Sequence, residues 1–179
     1  VKMLPLSERE SKQYIEEKKI LPDSEYCLSA AADKQVDEVV QRIVSARQTG
    51  RPVMLTFGAH SIKNCLAPVF IALMKSGWVT HLATNGAGVI HDWEFSYQGK
   101  TSEDVLHYVS QGQFGNWQET GFNINLALVV GAYQGMGYGE AVGSFIANEG
   151  LYIPSEAQLV EEIVQAASAD PAQAAAAAD

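Results

Sequence analysis

The chain has 179 residues, of which 47% are hydrophobic, and it carries 21 acidic against 12 basic residues. This length and composition predict one globular domain with a sizeable core. The formal net charge of −9 argues against nucleic-acid binding, which usually needs a basic face. We expect no membrane partner, because no apolar run approaches the roughly 20 residues that span a bilayer. The start of the chain lacks an apolar signal-peptide core, so we expect a cytoplasmic protein.

The cysteines and histidines do not form a recognisable metal-binding pattern. Cys27 and Cys65 are far apart in the sequence and are predicted to be reduced thiols. Neither a His-Glu-x-x-His nor a Cys-x-x-Cys motif is present. The sequence therefore predicts no metal site. The sequence also lacks the Gly-x-Ser-x-Gly motif of α/β-hydrolases and a Walker loop.

Composition divides the sequence into an N-terminal arm at 1–32, an α/β domain at 33–168 and an Ala-rich tail at 169–179. Charged residues at 7–19 predict a short helix in the arm, which would pack on another subunit or on nothing. Asp33 is the predicted N-cap of the first helix of the domain. The tail shows no core-forming pattern.

A strand–helix–strand pattern lies at the centre of the chain. Apolar runs at 53–56 and 79–84 predict two strands, and helical spacing of apolar residues at 62–74 predicts one helix between them. Small-residue loops follow the strands at 57–60 and 85–88. Such a unit implies a parallel pair with a right-handed crossover. Ligands of these sheets bind beyond the carboxyl ends of the strands, where both loops are expected to lie.

The second half of the chain is predicted to be mainly helical. Thr101 is the predicted cap of a helix to residue 111, and Pro154-Ser155 is the predicted start of the last helix. Other helices are predicted at 89–97, 116–133 and 140–147. Two strands are fewer than a doubly wound sheet usually has. Either further strands lie in weakly patterned stretches or the chain is part of a larger protein, and we favour the second interpretation.

The second loop is the strongest candidate for a ligand site. Small residues let a backbone approach a ligand closely, and free amides at a helix start can hold a phosphate. These loop residues are Thr84, Asn85, Gly86, Ala87 and Gly88. His91 and Asp92 follow as candidate catalytic groups, and Asp92 and Glu94 as acids that would bind a cationic substrate. The alternative is a tight strand-to-helix turn whose acids cap the helix.

The first loop adds a second set of candidates. Its small residues Gly58, Ala59 and Ser61 can contact a cofactor, and His60 and Lys63 can contact phosphate or act as acid and base. A lysine near a helix start opposes the macrodipole by ~0.3–1 kcal/mol, which favours a partner such as an anion. The alternative is a histidine bonded to backbone and a solvated lysine.

The run from Leu55 to Glu94 resembles the N-terminal half of deoxyhypusine synthase and its bacterial relatives. In that family the second strand ends in a Thr-Thr-Ala-Gly-Gly-Val-x-x-Asp turn, and residues 84–92 read Thr-Asn-Gly-Ala-Gly-Val-Ile-His-Asp. The run 101–105, Thr-Ser-Glu-Asp-Val, is similar to the bacterial branch in particular. The likeness extends over residues 33–147. His91 stands where the family has an acidic residue, and the Trp-Gly-Lys setting of the family's catalytic lysine does not occur in this sequence.

The resemblance implies a Rossmann-like, doubly wound parallel sheet, here incomplete or helix-rich toward its C-terminal end. It implies NAD as cofactor and a homo-oligomer, a dimer or tetramer with sites at the dimer interface. It also implies chemistry on a spermidine-type polyamine or similar amine, whose aminobutyl group passes through an enzyme-lysine imine to a protein lysine or to another polyamine. The positions that it carries over are Thr84, Gly86, Ala87, Gly88, Asp92 and the first-loop residues Gly58, Ala59, His60 and Ser61.

Three functions follow as hypotheses. The first is an NAD-dependent transferase or oxidoreductase that acts on an amine. The second is a non-catalytic binding or assembly protein that keeps the fold. The third is a phosphate- or nucleotide-binding enzyme that uses the same loops, with His60 or His91 as acid–base group.

Overall fold

The computed structural model describes residues 2–169, so positions 170–179 of the predicted tail lie outside the described residues. The chain divides into two compact units, Val1–Leu126 and Ala127–Asp179. The helix Gln118–Tyr133 runs across this point of division in the sequence.

The first unit contains four short strands and most of the helices. After a 3₁₀ turn at Leu6–Glu8, its elements in chain order are β1 (Ser11–Tyr14), α1 (Ile15–Lys18), α2 (Ala30–Gln48), β2 (Met54–Thr56), α3 (Ala59–Lys63), α4 (Ala67–Lys75), β3 (His81–Ala83), α5 (Gly86–Gln98), β4 (Lys100–Glu103) and α6 (Val105–Ser110). Helix α7 (Gln118–Tyr133) follows, and α8 (Tyr138–Ala147) and α9 (Glu156–Ala169) complete the second unit. The protein is therefore a mixed α/β structure, as the sequence predicted at that level.

Strands β2 and β3 form the predicted parallel pair. Met54 pairs with His81 and Thr56 with Ala83, and the Thr80 hydroxyl bonds to both backbone groups of Val53 at 2.9 and 3.0 Å. These bonds align the two strands, so both end at the same edge. Each sheet among residues 2–169 has two strands, and the larger doubly wound sheet is not seen in this part of the chain.

The single helix predicted at 62–74 is wrong, because α3 and α4 are separate helices. The chain turns between them at Cys65, whose φ is +63°. Pro68 lies in the first turn of α4 and has no N–H to donate to the carbonyl of Asn64, so a continuous helix cannot form there.

The helix predicted at 7–19 forms only near its end, as α1 (Ile15–Lys18). The centre of the predicted stretch is strand β1, which pairs antiparallel with β4, so that Gln13 faces Thr101 and Ser11 faces Glu103. Thr101 is consequently a strand residue rather than the predicted helix cap. The N-cap of α6 is Asp104, whose side chain accepts a hydrogen bond from the His107 N–H at 2.9 Å.

Two further helix starts differ from the predictions. Helix α2 begins after Ser29, whose hydroxyl accepts a hydrogen bond from the Ala32 N–H at 3.3 Å, so Asp33 is not its cap. Helix α5 begins at Gly86, three residues before the predicted start. The glycines of the second loop therefore form the first turn of α5.

The core of the first unit combines apolar side chains with a few buried polar ones. Leu6 and Trp117 are buried, and Ile62, Cys65 and Phe95 form a separate cluster beside Phe57 and Phe70, a pair whose ring centroids are 4.8 Å apart. In the second unit, Ala127, Val130, Ala141 and Val142 are buried. Among residues 2–169 no helix is both long and apolar enough to cross a membrane.

The start of α5 is packed too tightly at Gly88 to accept a side chain. A Cβ atom at this position would collide with the hydroxyl of Thr84. We expect Gly88→Ala to lower the free energy of unfolding by about 1–3 kcal/mol, as overpacked positions usually do. Urea denaturation would measure the change. The double variant Thr84→Ala/Gly88→Ala should recover most of the loss, and no recovery would contradict this explanation.

Candidate functional site

The two small-residue loops meet at the carboxyl ends of β2 and β3. Each leads directly into a helix, Gly58 into α3 and Asn85 into α5. A Cβ atom on Gly58 would lie 3.7 Å from Nδ2 of Asn85, so the two helix starts are neighbours. This is the edge at which parallel sheets bind ligands.

The first turn of α5 offers free backbone donors. Oδ1 of Asn85 accepts a hydrogen bond from the Gly88 N–H at 3.0 Å and caps the helix. The N–H groups of Gly86 and Ala87, the first two of the helix, have no intrahelical acceptor. Both residues are exposed, and the positive end of the helix dipole lies here. An anion such as a phosphate fits this position.

A cavity of about 360 Å³ begins at the same turn and follows one face of α5. Ala87, Ile90, His91 and Glu94 form this face, with the spacing of adjacent helical turns. The rest of its lining is Arg9, Lys63, Ser102, Glu103, Val105, Phe114, Gly115, Trp117 and Thr120. The volume suits a small organic ligand.

The carboxylate of Glu94 is the centre of a buried hydrogen-bond network. Arg9 donates to both of its oxygens at 2.7 and 2.8 Å, Thr120 donates to Oε1 at 2.9 Å, and Thr101 donates to Oε2. Only 1% of the Glu94 surface is exposed. Four donors use the roughly four acceptor sites of a carboxylate. This favours a structural role for Glu94 over the substrate-binding role that the sequence predicted.

Aromatic side chains hold Arg9 in this network. Its guanidinium carbon lies 5.7 Å from the ring centroid of Trp117, and Tyr108 meets Trp117 edge to face at 5.1 Å. Nε1 of Trp117 donates to Oε2 of Glu103 at 2.9 Å. The cation therefore lies beside an aromatic face, an attractive arrangement that is stronger when water is excluded.

The network also decides which nitrogen of His91 carries a proton. Nδ1 of His91 lies 2.7 Å from Oγ1 of Thr101. The single hydroxyl proton of Thr101 is donated to Glu94, since an ionised carboxylate only accepts. Thr101 must therefore accept a hydrogen bond from Nδ1–H of His91. This leaves Nε2 of the neutral ring without a proton, as an acceptor or a base.

The environment keeps the imidazole neutral. Burial lowers the pKa of His91, and the positive charges of Lys63 and Arg9 act in the same direction. The negative charge of Glu94 opposes them. A neutral imidazole at pH 7 is the form that can accept a proton.

Ser102 lies in the cavity wall between two residues of the site. Its φ of +67° falls in the left-handed region, where a non-glycine residue costs about 1–3 kcal/mol. Its neighbours Thr101 and Glu103 are held by hydrogen bonds to Glu94 and to Trp117. These bonds fix the chain on both sides of the strained residue.

The structure brings only some of the predicted site residues into the cavity. Lys63, Ala87, His91 and Glu94 line it. The predicted cofactor contacts lie at or next to the starts of α3 and α5: Gly58, Ala59, Ser61, Thr84, Asn85, Gly86 and Gly88.

His60 and Asp92, two of the predicted catalytic residues, do not line the cavity. Both are exposed. Desolvation by the surrounding protein raises the pKa of the Asp92 carboxyl. Lys63 is the last residue of α3, so its positive charge agrees with the helix dipole. The prediction that this charge opposes the dipole is therefore wrong.

Sequence reasoning missed Arg9, Thr101 and Thr120 as members of the site. Arg9 is 85 positions from Glu94, within a segment that was predicted to be a charged helix packing on another subunit or on nothing. Thr101 was interpreted as a helix cap, and Thr120 lies in a helix without any local motif.

A comparison with protein-family models, curated proteins and solved structures found no match to the chain.

Loss of Arg9 should destabilise the protein strongly. Arg9→Met leaves the Glu94 carboxylate buried without a cation, and we expect the free energy of unfolding to fall by about 3–5 kcal/mol. Urea denaturation would measure it. The matched control is Lys12→Met, which breaks the exposed pair of Lys12 and Asp104 and should have little effect. Equal effects of the two variants would contradict the role assigned to Arg9.

Histidine NMR can test the state of His91. We expect the neutral ring to carry its proton on Nδ1 and to titrate below the usual pKa of about 6.5. The unfolded chain then takes up the second ring proton of His91 at a higher pH than the folded chain does. His91 therefore makes the folded state less stable as the pH falls below about 6.5. Thr101→Val should lose the tautomer preference and Thr101→Ser should keep it. An Nε2–H tautomer in the wild type would refute the assignment.

Proposed function

We propose that the chain is a deoxyhypusine-synthase-like, NAD-dependent oxidoreductase or transferase that acts on an amine. The observation that carries this proposal is the meeting of two helix starts at the carboxyl ends of the parallel strands β2 and β3. In a Rossmann-like sheet this is where a dinucleotide binds. The motif that resembles the family, at residues 84–92, forms one of these helix starts.

The residues present fit the pyrophosphate of NAD. The N–H groups of Gly86 and Ala87 are free and exposed, and Gly58 and Ala59 approach from the neighbouring helix start. None of these side chains is larger than a methyl group, so the backbone is accessible to a phosphate. When bound, NAD would supply an acceptor for a hydride.

The cavity supplies a base next to this position. Ala87 belongs both to the first turn of α5 and to the cavity wall, and His91 follows one helical turn later. An ammonium group must lose a proton before the carbon atom bonded to its nitrogen can give up a hydride. The unprotonated Nε2 of His91 can accept that proton, and Thr101 holds the ring for this role.

Another phosphate-bearing ligand is the second candidate. Free amides at a helix start bind phosphate of any origin, so they suit a phosphate-binding enzyme other than an NAD enzyme. In that case His91 would act as an acid–base group on a phosphorylated substrate. Binding of NAD separates the two candidates.

Calorimetric titration with NAD, up to millimolar cofactor, tests the proposal. Gly86→Asp places a negative charge where the phosphate would lie, and we expect about tenfold weaker binding, as about 1.4 kcal/mol of repulsion would give. An acid in the first turn of a helix favours the helix, so the fold should not suffer. The matched control is Gly139→Asp, in the exposed first turn of α8, where a side chain meets nothing within 4 Å.

Three outcomes decide between the candidates. Wild-type binding of NAD that Gly86→Asp weakens and Gly139→Asp leaves unchanged supports the proposal. No binding of NAD to the folded wild-type chain refutes it. Binding of inorganic phosphate without NAD, lost in Gly86→Asp, would favour the second candidate.

A further inference from the structure

The four charged side chains in the cavity wall fall into two groups. Arg9 and Glu94 neutralise each other, and the carboxylate of Glu94 has no acceptor site left. Lys63 and Glu103 carry the other two charges. Within residues 2–169, neither of them has an oppositely charged group within 4.0 Å.

Glu103 is positioned to bind a cation. Its Oε1 accepts a hydrogen bond from the Gly115 N–H at 3.0 Å, and its Oε2 accepts one from Nε1 of Trp117 at 2.9 Å. Both donors are neutral, so the negative charge remains, and each oxygen keeps an acceptor site. Phe114 belongs to the same cavity wall and is 48% exposed, and aromatic faces attract ammonium groups.

Lys63 is positioned to bind an anion. It is the last residue of α3, it is partly buried, and it lines the cavity. The nearby carboxylate of Glu94 is already saturated by Arg9 and two threonines. The ammonium of Lys63 is therefore the cation of the cavity that remains available to a ligand.

We propose that the cavity binds a small zwitterion, an amine that also carries a carboxylate. Glu103, with Phe114, would hold the ammonium end, and Lys63 would hold the carboxylate. This inference takes the reaction from the proposed function. It restricts the amine substrate of that reaction to amines that also carry a carboxylate. A diamine would place an ammonium against Lys63, and a simple acid would leave Glu103 without a cation. Only a ligand with both charges matches both groups.

The test is calorimetric titration of the full chain, without NAD, with matched small probes. Glycine, γ-aminobutyrate and ε-aminocaproate cover a range of charge separations. Butylamine, butyrate and putrescine have the same number of carbon atoms as γ-aminobutyrate. Butylamine lacks the carboxylate, butyrate lacks the ammonium group, and putrescine has a second ammonium group in place of the carboxylate. We expect at least one zwitterion to bind about tenfold or more tightly than all three matched compounds, equivalent to about 1.4 kcal/mol.

Two variants make the test specific. Lys63→Met should remove the preference for the zwitterion over butylamine and keep the preference over butyrate. Glu103→Gln should do the reverse. A variant that merely misfolds would lose both preferences, and thermal unfolding would reveal it. Lys12→Met, in an exposed pair outside the cavity, is the matched lysine control and should change neither preference.

The outcomes are separable from those of the proposed function. Tighter binding of putrescine than of every zwitterion, equal binding of all probes, or no binding of any zwitterion overturns this inference. Preference for a zwitterion in a chain that does not bind NAD supports it and refutes only the NAD proposal. Binding of NAD without any zwitterion preference supports the NAD proposal and overturns this inference.

Discussion

The buried ion pair of Arg9 and Glu94 connects parts of the first unit that are far apart in sequence. It joins the segment before β1 to α5, and through Thr101 and Thr120 it reaches β4 and α7. Taking two charges out of water costs several kcal/mol per ion, which their attraction offsets only when the geometry is good and the remaining sites are bonded. Here both conditions hold, because each carboxylate oxygen accepts two hydrogen bonds.

This network links the stability of the unit to the chemistry of the cavity. The proton that Thr101 donates to Glu94 is the reason why Thr101 must accept one from His91. The tautomer of His91 therefore depends on a charge that lies two hydrogen bonds away. A change at Arg9 would alter both the folded state and the protonation of the ring, so the two effects need separate measurements.

The sequence predicted the parts of the site that depend on neighbouring residues. Apolar patterns predicted the strands β2 and β3, the small-residue loops after them and a helix at 89–97. That helix begins earlier, at Gly86, because Asn85 caps it, a local signal that the prediction did not use. The break between α3 and α4 was also encoded locally, by Pro68, but the apolar spacing across it suggested one helix. By contrast, the positions of Arg9 and Thr101 depend on the pairing of β1 with β4, about 90 residues apart, which no local pattern reveals.

The charge of the cavity follows from hydrogen bonds rather than from composition. Asp92 and Glu94 were predicted as the acids that would bind a cationic substrate. Of the two acids in the cavity wall, however, Glu94 is neutralised by Arg9, and only Glu103 keeps a charge without an ion-pair partner in the described residues. Lys63 balances it with one positive charge. The formal charge of the wall is therefore zero with the neutral form of His91, and selectivity must come from where the two unpaired charges lie.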